Sequence, residues 1–179
     1  DLNPLAVELA KLSLWILSMA KNQPLSFMNH HLKCGNSLVG ARLEEIGNYP
    51  LSTSKKEPQQ LHLFERDPDF KIAVEEAIEK EHMIASKSSL SLEDIHEKKA
   101  WLDDIEELLG RYKAICNVHV GILFGNGIDE NQYLAIVKKK DFALARKINK
   151  SVEYFHWQLE FPFLLRTGGF SVVIGNPPW

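Results

Sequence analysis

Cysteine is almost absent: Cys34 and Cys116 are the only two in 179 residues. Two thiols cannot build a disulfide framework, so a reducing, cytoplasmic setting is expected. Metal-site patterns are equally thin. His30, His31 and Cys34 form one loose group, and Cys116 with His119 another. Neither has a second ligand pair at zinc-finger spacing, so no metal is expected. Long apolar runs are missing too. The longest lies in the first segment and is broken by Glu8 and Lys11, which argues against a membrane span. Excess positive charge is also lacking. A net charge of −3 and a pI near 6.2 do not fit a stand-alone nucleic-acid binder.

What remains is enough for one buried core. Hydrophobic residues make up 45% of the chain, and a chain of this length can cover them. At the start, Asn3 suits a helix N-cap, Pro4 the first helical position, and Glu8 the early helix. Leu5, Leu9, Leu12 and Ile16 then mark one apolar stripe. At the other end, Phe170-Ser171-Val172-Val173-Ile174 reads as a buried strand, and it runs directly into Gly175-Asn176-Pro177-Pro178-Trp179.

Three segments carry a resemblance. They are Asp1-Leu2-Asn3-Pro4, Cys34-Gly35-Asn36-Ser37-Leu38 and Asn176-Pro177-Pro178-Trp179. In this order they resemble the second, third and catalytic motifs of DNA adenine-N6 methyltransferases. The wording is most similar to the large type IIG-like enzymes that fuse restriction with modification, and to related phage-defence methyltransferases. The resemblance covers about the first forty and last thirty residues. It departs from the family pattern at Asn36, where an acid is usual, and at Ser171, where an acid often precedes the final strand.

The resemblance implies S-adenosyl-L-methionine as cofactor and double-stranded DNA as partner. Asp1 would accept hydrogen bonds from the cofactor ribose, the role of the acid after the second strand in dinucleotide folds. Asn36 would face the cofactor adenine, bonding an amino group through its amide oxygen. Asn176 and Pro177 would hold the target amine. That amine is a weak nucleophile because its lone pair is delocalised into the ring. Two acceptors aimed at its N–H bonds would turn it toward the methyl sulfonium by positioning and electrostatics, without a strong base. Pro177 has a carbonyl and no N–H, and Pro178 stiffens the loop. Trp179 offers a stacking face to a flipped base.

A glycine-rich first motif is missing, and so are the recognition segments expected beyond Trp179. A start without Met and an end within a motif suggest an excised piece, expected to be inactive alone. Asn36 and Asn176 stand 140 positions apart, far more than an ordinary inter-strand connection. The spacing therefore divides the chain into a core segment 1–43, a helical insertion 44–150 and a core segment 151–179.

Within the insertion, the polar stretch Gly47 to Gln60 is the candidate mobile linker. Pro68 and Asp69 open a helix to about Lys87, and Ser91 with Asp94 caps another to about Cys116. A third is expected from about Glu130 to Lys147, after the Gly125-Asn126-Gly127 turn. The aromatic stretch Tyr154 to Pro162 reads as a short strand or packed loop.

Other features have ordinary explanations. Asp69 with Glu97 and Lys99 superficially resembles a nuclease set, but it sits in helical periodicity. Lys138, Lys139, Lys140, Arg146, Lys147 and Lys150 form a modest basic cluster that reads as a solvated face. Trp15, Trp101 and Trp157 read as packing anchors.

The fold expected is mainly α: a piece of a Rossmann-like α/β methyltransferase with a long helical insertion and few strands. The candidate strands near His31 to Cys34 and at Phe170 to Ile174 would not be sheet neighbours, and an unpaired strand is too costly to bury. The apolar surfaces of Leu5 to Leu17 and Phe170 to Ile174 would then be covered by self-association or unnatural strand pairing. The alternative is a different class, a helical DNA- or domain-binding scaffold.

Overall fold

Two capping devices set the central hairpin. Asp67 accepts a hydrogen bond from the Asp69 backbone N–H through its side chain, and Pro68 opens helix α2 (Pro68–Ser86). Ser91 and Asp94 form a reciprocal capping box at the start of helix α3 (Leu92–Leu123), which has 32 residues. Three contacts fix how the two helices meet. Lys87 pairs with Glu97, Lys80 pairs with Asp104 at 2.7 Å, and Phe70 meets the Tyr112 ring at 4.8 Å. One number rises along α3 as the other falls along α2, so the helices run antiparallel.

The computed structural model describes residues 1–17, 31–52, 64, 66–87, 91–148 and 154–175. Besides the hairpin it contains α1 (Pro4–Leu17), α4 (Glu130–Lys139), α5 (Phe142–Ile148), α6 (Trp157–Glu160) and α7 (Leu164–Thr167), with a 3-10 turn at Leu43–Glu45. The architecture is mainly helical, as expected. Among the described residues there is no strand, only an isolated bridge between Ile46 and Asn48. No helix among them is long and apolar enough to cross a membrane.

The core gathers around α3, which is buried on nearly every side from Ala114 to Ile122. Tyr112 is fully buried, with Phe64, Phe70 and Phe142 around its ring at 5.4, 4.8 and 5.4 Å. Edge-to-face contacts of this kind add to the apolar burial. Further along α3, His119 Nδ1 lies 2.7 Å from the hydroxyl of buried Tyr133 on α4. The Gly47 N–H also donates to that hydroxyl, at 3.3 Å.

Four expectations are corrected. The aromatic stretch Tyr154 to Pro162, expected as a short strand or packed loop, contains the short helix α6 (Trp157–Glu160). Helix α3 continues to Leu123, beyond the expected end near Cys116, because Ile115, Cys116, Val118 and Ile122 are all buried. The third expected helix is two. Lys140 adopts the left-handed conformation (φ 52°) and reaches Asp67 at 2.6 Å, while Asp141 caps α5 by accepting from the Leu144 N–H. The candidate strands are not strands. His31 lies in a turn, and Phe170 to Ile174 is irregular, with Val172, Val173 and Ile174 at 72, 75 and 92% exposure. With no pairing partner, the β-prone sequence has no ladder to join.

Helix α1 follows its predicted start, with the Leu5 N–H bonded to Asn3 Oδ1 at 3.0 Å. Its predicted stripe faces outward: Leu5, Leu9, Leu12 and Ile16 are all exposed, and only Val7 and Lys11 are buried. Of the expected linker, residues 53–60 lie outside the described residues, as does Lys150 of the basic cluster.

Candidate functional site

Two of the resemblance-bearing segments are brought together at the start of the chain. The Gly35 N–H donates to the Asp1 carbonyl at 2.9 Å, so the Gly35-Asn36 turn rests directly on the entry to α1. The Asp1 carboxylate accepts from the Asn3 N–H at 2.8 Å, and Asp1 is exposed. Asn36 is half-buried, and its amide oxygen accepts from the Leu38 N–H at 3.1 Å, an Asx turn. An amide oxygen has two lone pairs and the amide nitrogen two protons. Asn36 therefore keeps one further acceptor position and its amide N–H donors. Asn176, Pro177, Pro178 and Trp179 lie outside the described residues.

The turn is held from the far side by the aromatic stretch. The Phe155 N–H donates to the Val39 carbonyl at 2.9 Å, and the Trp157 indole N–H to the Ser37 carbonyl at 2.9 Å. The Leu43 N–H donates to Gln158 Oε1 at 2.9 Å, and Gln158 Nε2 to Glu44 at 3.0 Å. Gly40 makes this approach possible. A Cβ there would stand 1.9 Å from the Phe155 carbonyl oxygen. Trp157 is exposed rather than a core anchor, and its ring stacks on Phe161 at 5.7 Å. Phe170 joins that group edge-on, 5.6 Å from Trp157 and 5.7 Å from Phe161. Between turn and aromatics lies a cleft of about 620 Å³, lined by Ser37, Leu38, Gly40, Phe155 and Trp157 among others. That size is in the range of small-ligand sites.

Behind the aromatic stretch is a fully buried histidine. His156 Nδ1 accepts from the Ala41 N–H at 3.0 Å, so Nε2 carries the proton and donates to Asn117 Oδ1 at 2.8 Å. Asn117 Oδ1 also accepts from the Tyr154 N–H at 3.1 Å. Burial, followed by the nearby Lys113 and His119, pulls the imidazole down to about 3, which keeps it neutral. His119 is likewise lowered by burial, to about 4. These histidines hold structure together. The sequence offered no sign of His156 or Asn117, because their partners are distant in the chain.

On the other side of Asn117 opens a larger cleft of about 1160 Å³, with Lys33, Lys113 and Glu160 among its walls. Lys113 bridges Glu160 at 2.8 Å and Glu106 at 3.0 Å. Burial lowers the Lys113 pKa, but the two carboxylates outweigh it and leave the value raised. Burial lowers Lys33, with Glu160 at 3.8 Å opposing it. Burial lifts Glu81 to about 7, against the pull of Lys33. The charges in this cleft neutralise one another, so it has no net sign to select an ion.

The remaining candidate sets come apart. Asp69 pairs with Lys140 near the start of α2, whereas Glu97 pairs with Lys87 just beyond its end. A helix of that length separates them by roughly 25–30 Å at 1.5 Å per residue, too far for one nuclease site. Lys140 of the basic cluster is bridged to Asp67 and Asp69. Cys34 is exposed and Cys116 buried, and both are free thiols. No metal-capable group of three ligands occurs among the described residues.

The comparison with known proteins gives these pieces a common origin. The Eco57I restriction-modification methylase family matches residues 1–179, the whole chain. The chain belongs to that family. A protein of Methanocaldococcus jannaschii, described by name as a type II restriction enzyme and methyltransferase, is 23% identical to it over 214 aligned positions. The alignment takes in 100% of this chain and 17% of that relative, so the chain spans a small part of the relative's length. No solved structure matches the chain. Within this methylase family, the Asp1 and Gly35-Asn36 segments are the two resemblance-bearing segments that fall in the described residues, and they touch.

Proposed function

We propose that the full-length protein carrying this chain is an S-adenosyl-L-methionine-dependent DNA adenine-N6 methyltransferase of a restriction–modification system. The observation that supports it most is the direct contact between the Asp1 and Gly35-Asn36 segments, bonded at 2.9 Å although far apart in sequence. Asp1 would take the cofactor ribose and Asn36 the adenine edge. The cofactor supplies an electrophilic methyl group when bound. The residues fit it: an exposed carboxylate, an amide with a free donor, and an adjoining aromatic-walled cleft. Asn176 and Pro177 would orient the target amine of double-stranded DNA, and Trp179 would stack on the flipped base. The segments 1–43 and 151–179 would belong to a Rossmann-like core, with 44–150 as its helical insertion.

The cofactor assignment predicts a specific loss. Asn36→Ala in the full-length protein removes the side chain that would read the adenine edge. Its affinity for S-adenosylmethionine should fall roughly tenfold, the worth of one good hydrogen bond left unmade. Calorimetric titration measures it, and unchanged affinity would remove Asn36 from the site.

Exposed apolar surface supports a second expectation. Leu2, Leu5, Leu9 and Leu17 on and beside α1, and Val172 to Ile174, stand open to solvent in the single chain. Patches of this kind seek cover. The isolated chain should therefore self-associate through α1. Sedimentation velocity would show a concentration-dependent dimer or larger species, reduced by Leu5→Lys with Leu9→Lys. A monomer at all concentrations would contradict it.

A further inference from the structure

We infer that Asn117, near the C-terminal end of α3, is a positioning residue that sets the cofactor-side turn at 36–41 through His156. The inference rests on the methyltransferase reading for its consequence, but its geometry stands alone. One atom, Asn117 Oδ1, accepts both the Tyr154 N–H at 3.1 Å and the His156 Nε2–H at 2.8 Å. His156 is fully buried, and its other nitrogen accepts the Ala41 N–H at 3.0 Å. The chain of bonds thus runs from the long helix, through an imidazole, to the backbone of the turn.

The imidazole can connect those two groups only in one tautomer. An acceptor on the helix is what selects the Nε2–H form, leaving Nδ1 able to accept from Ala41. Protonation would turn Nδ1 into a donor facing another donor, and burial suppresses it by lowering the pKa. Beside this relay, Phe155 bonds Val39 and Trp157 bonds Ser37, so the same register carries the cleft wall. Asn117 also lines the larger cleft on the opposite side. The turn is thus tied by hydrogen bonds to the C-terminal part of α3.

The test compares two substitutions in the full-length protein. Asn117→Leu keeps the branched shape and removes the acceptor, leaving the His156 Nε2–H and the Tyr154 N–H without their partner. Asn117→Asp keeps an oxygen acceptor for both. Hydrogen exchange followed by mass spectrometry should show Asn117→Leu loosening residues 36–43 and 154–158 while α2 keeps its protection. With S-adenosylmethionine varied, its KM should rise about tenfold and kcat at saturation should change less than about threefold, one buried hydrogen bond's worth. Asn117→Asp should restore both readouts. Wild-type exchange rates in Asn117→Leu, loosening that extends equally through α2, or no restoration by Asp would overturn the inference. A wild-type protein that does not bind S-adenosylmethionine would instead sink the methyltransferase reading, and the exchange result alone would then decide the relay.

Discussion

Gly40→Ala should destabilise the fold by about 3 kcal/mol, the scale of severe single-site clashes. The added Cβ would lie 1.9 Å from the Phe155 carbonyl oxygen, 2.8 Å from its carbonyl carbon and 3.4 Å from the His156 Cα. All three are backbone atoms, so no side chain can swing aside. The segment 154–158 would have to withdraw. Its withdrawal breaks the Phe155–Val39 and His156–Ala41 bonds together, since both lie within two residues of the contact. For a chain of this size the melting temperature should fall by roughly 6–12 °C. Gly110→Ala is the control. Its Cβ would meet the movable Glu106 carboxylate at 3.3 Å, inside α3. There alanine favours the helix by up to about 1 kcal/mol, so melting should hold or rise slightly. Far-ultraviolet circular dichroism on heating separates the two, and equal melting of both variants would contradict the close approach.

How much of this fold could be read from the chain depends on the range of the interactions. Local rules worked where the signal was local. Pro68, Ser91 with Asp94, and Asn3 with Pro4 each mark a helix start that the structure repeats within a residue. The end of α3 was misplaced because burial, a tertiary effect seen where His119 meets Tyr133 of α4, carries the helix beyond Cys116. The break at Lys140 had a local signal in Asp141, which caps the next helix, but the ion pair to Asp67 that steadies it spans 73 positions. At Phe170 to Ile174 the β-prone composition was read as a buried strand, and the segment is instead irregular and exposed. A strand needs a neighbour, and among the described residues none is offered.

The sequence named segments of the candidate site but not the contacts that join them. Asp1 and Asn36 were proposed by resemblance, and in the fold the Gly35 N–H next to Asn36 bonds the Asp1 carbonyl. Nothing in the residue pattern announced that Asn117, 81 positions beyond Asn36, would serve the same turn. A lone asparagine on a helix and a lone histidine among aromatics carry no periodicity. Their meaning comes from hydrogen bonds between segments that only the fold brings together. The near-neutral cleft beside them was equally hidden, because its charges come from separate elements and cancel.

Asn176→Ala should cut methyl transfer by about 10²–10³-fold, the usual cost of losing one preorganised polar group at the reacting centre. Under the proposed roles, Asn176 accepts from the target amine and makes no contact with the cofactor. Affinity for S-adenosylmethionine should therefore stay within about threefold of the wild type, and kcat should carry the loss. Alanine at this site retains a backbone carbonyl but no side-chain acceptor, so the amine keeps only its bond to Pro177. The delocalised lone pair is then no longer turned toward the methyl group. The most direct measurement uses methyl-labelled S-adenosylmethionine, duplex DNA and the full-length protein, followed by digestion of the DNA to nucleosides. The account predicts label in N6-methyladenine from the wild type and almost none from Asn176→Ala. Label in a methylated cytosine, no label from the wild type, or undiminished labelling by the variant would contradict it.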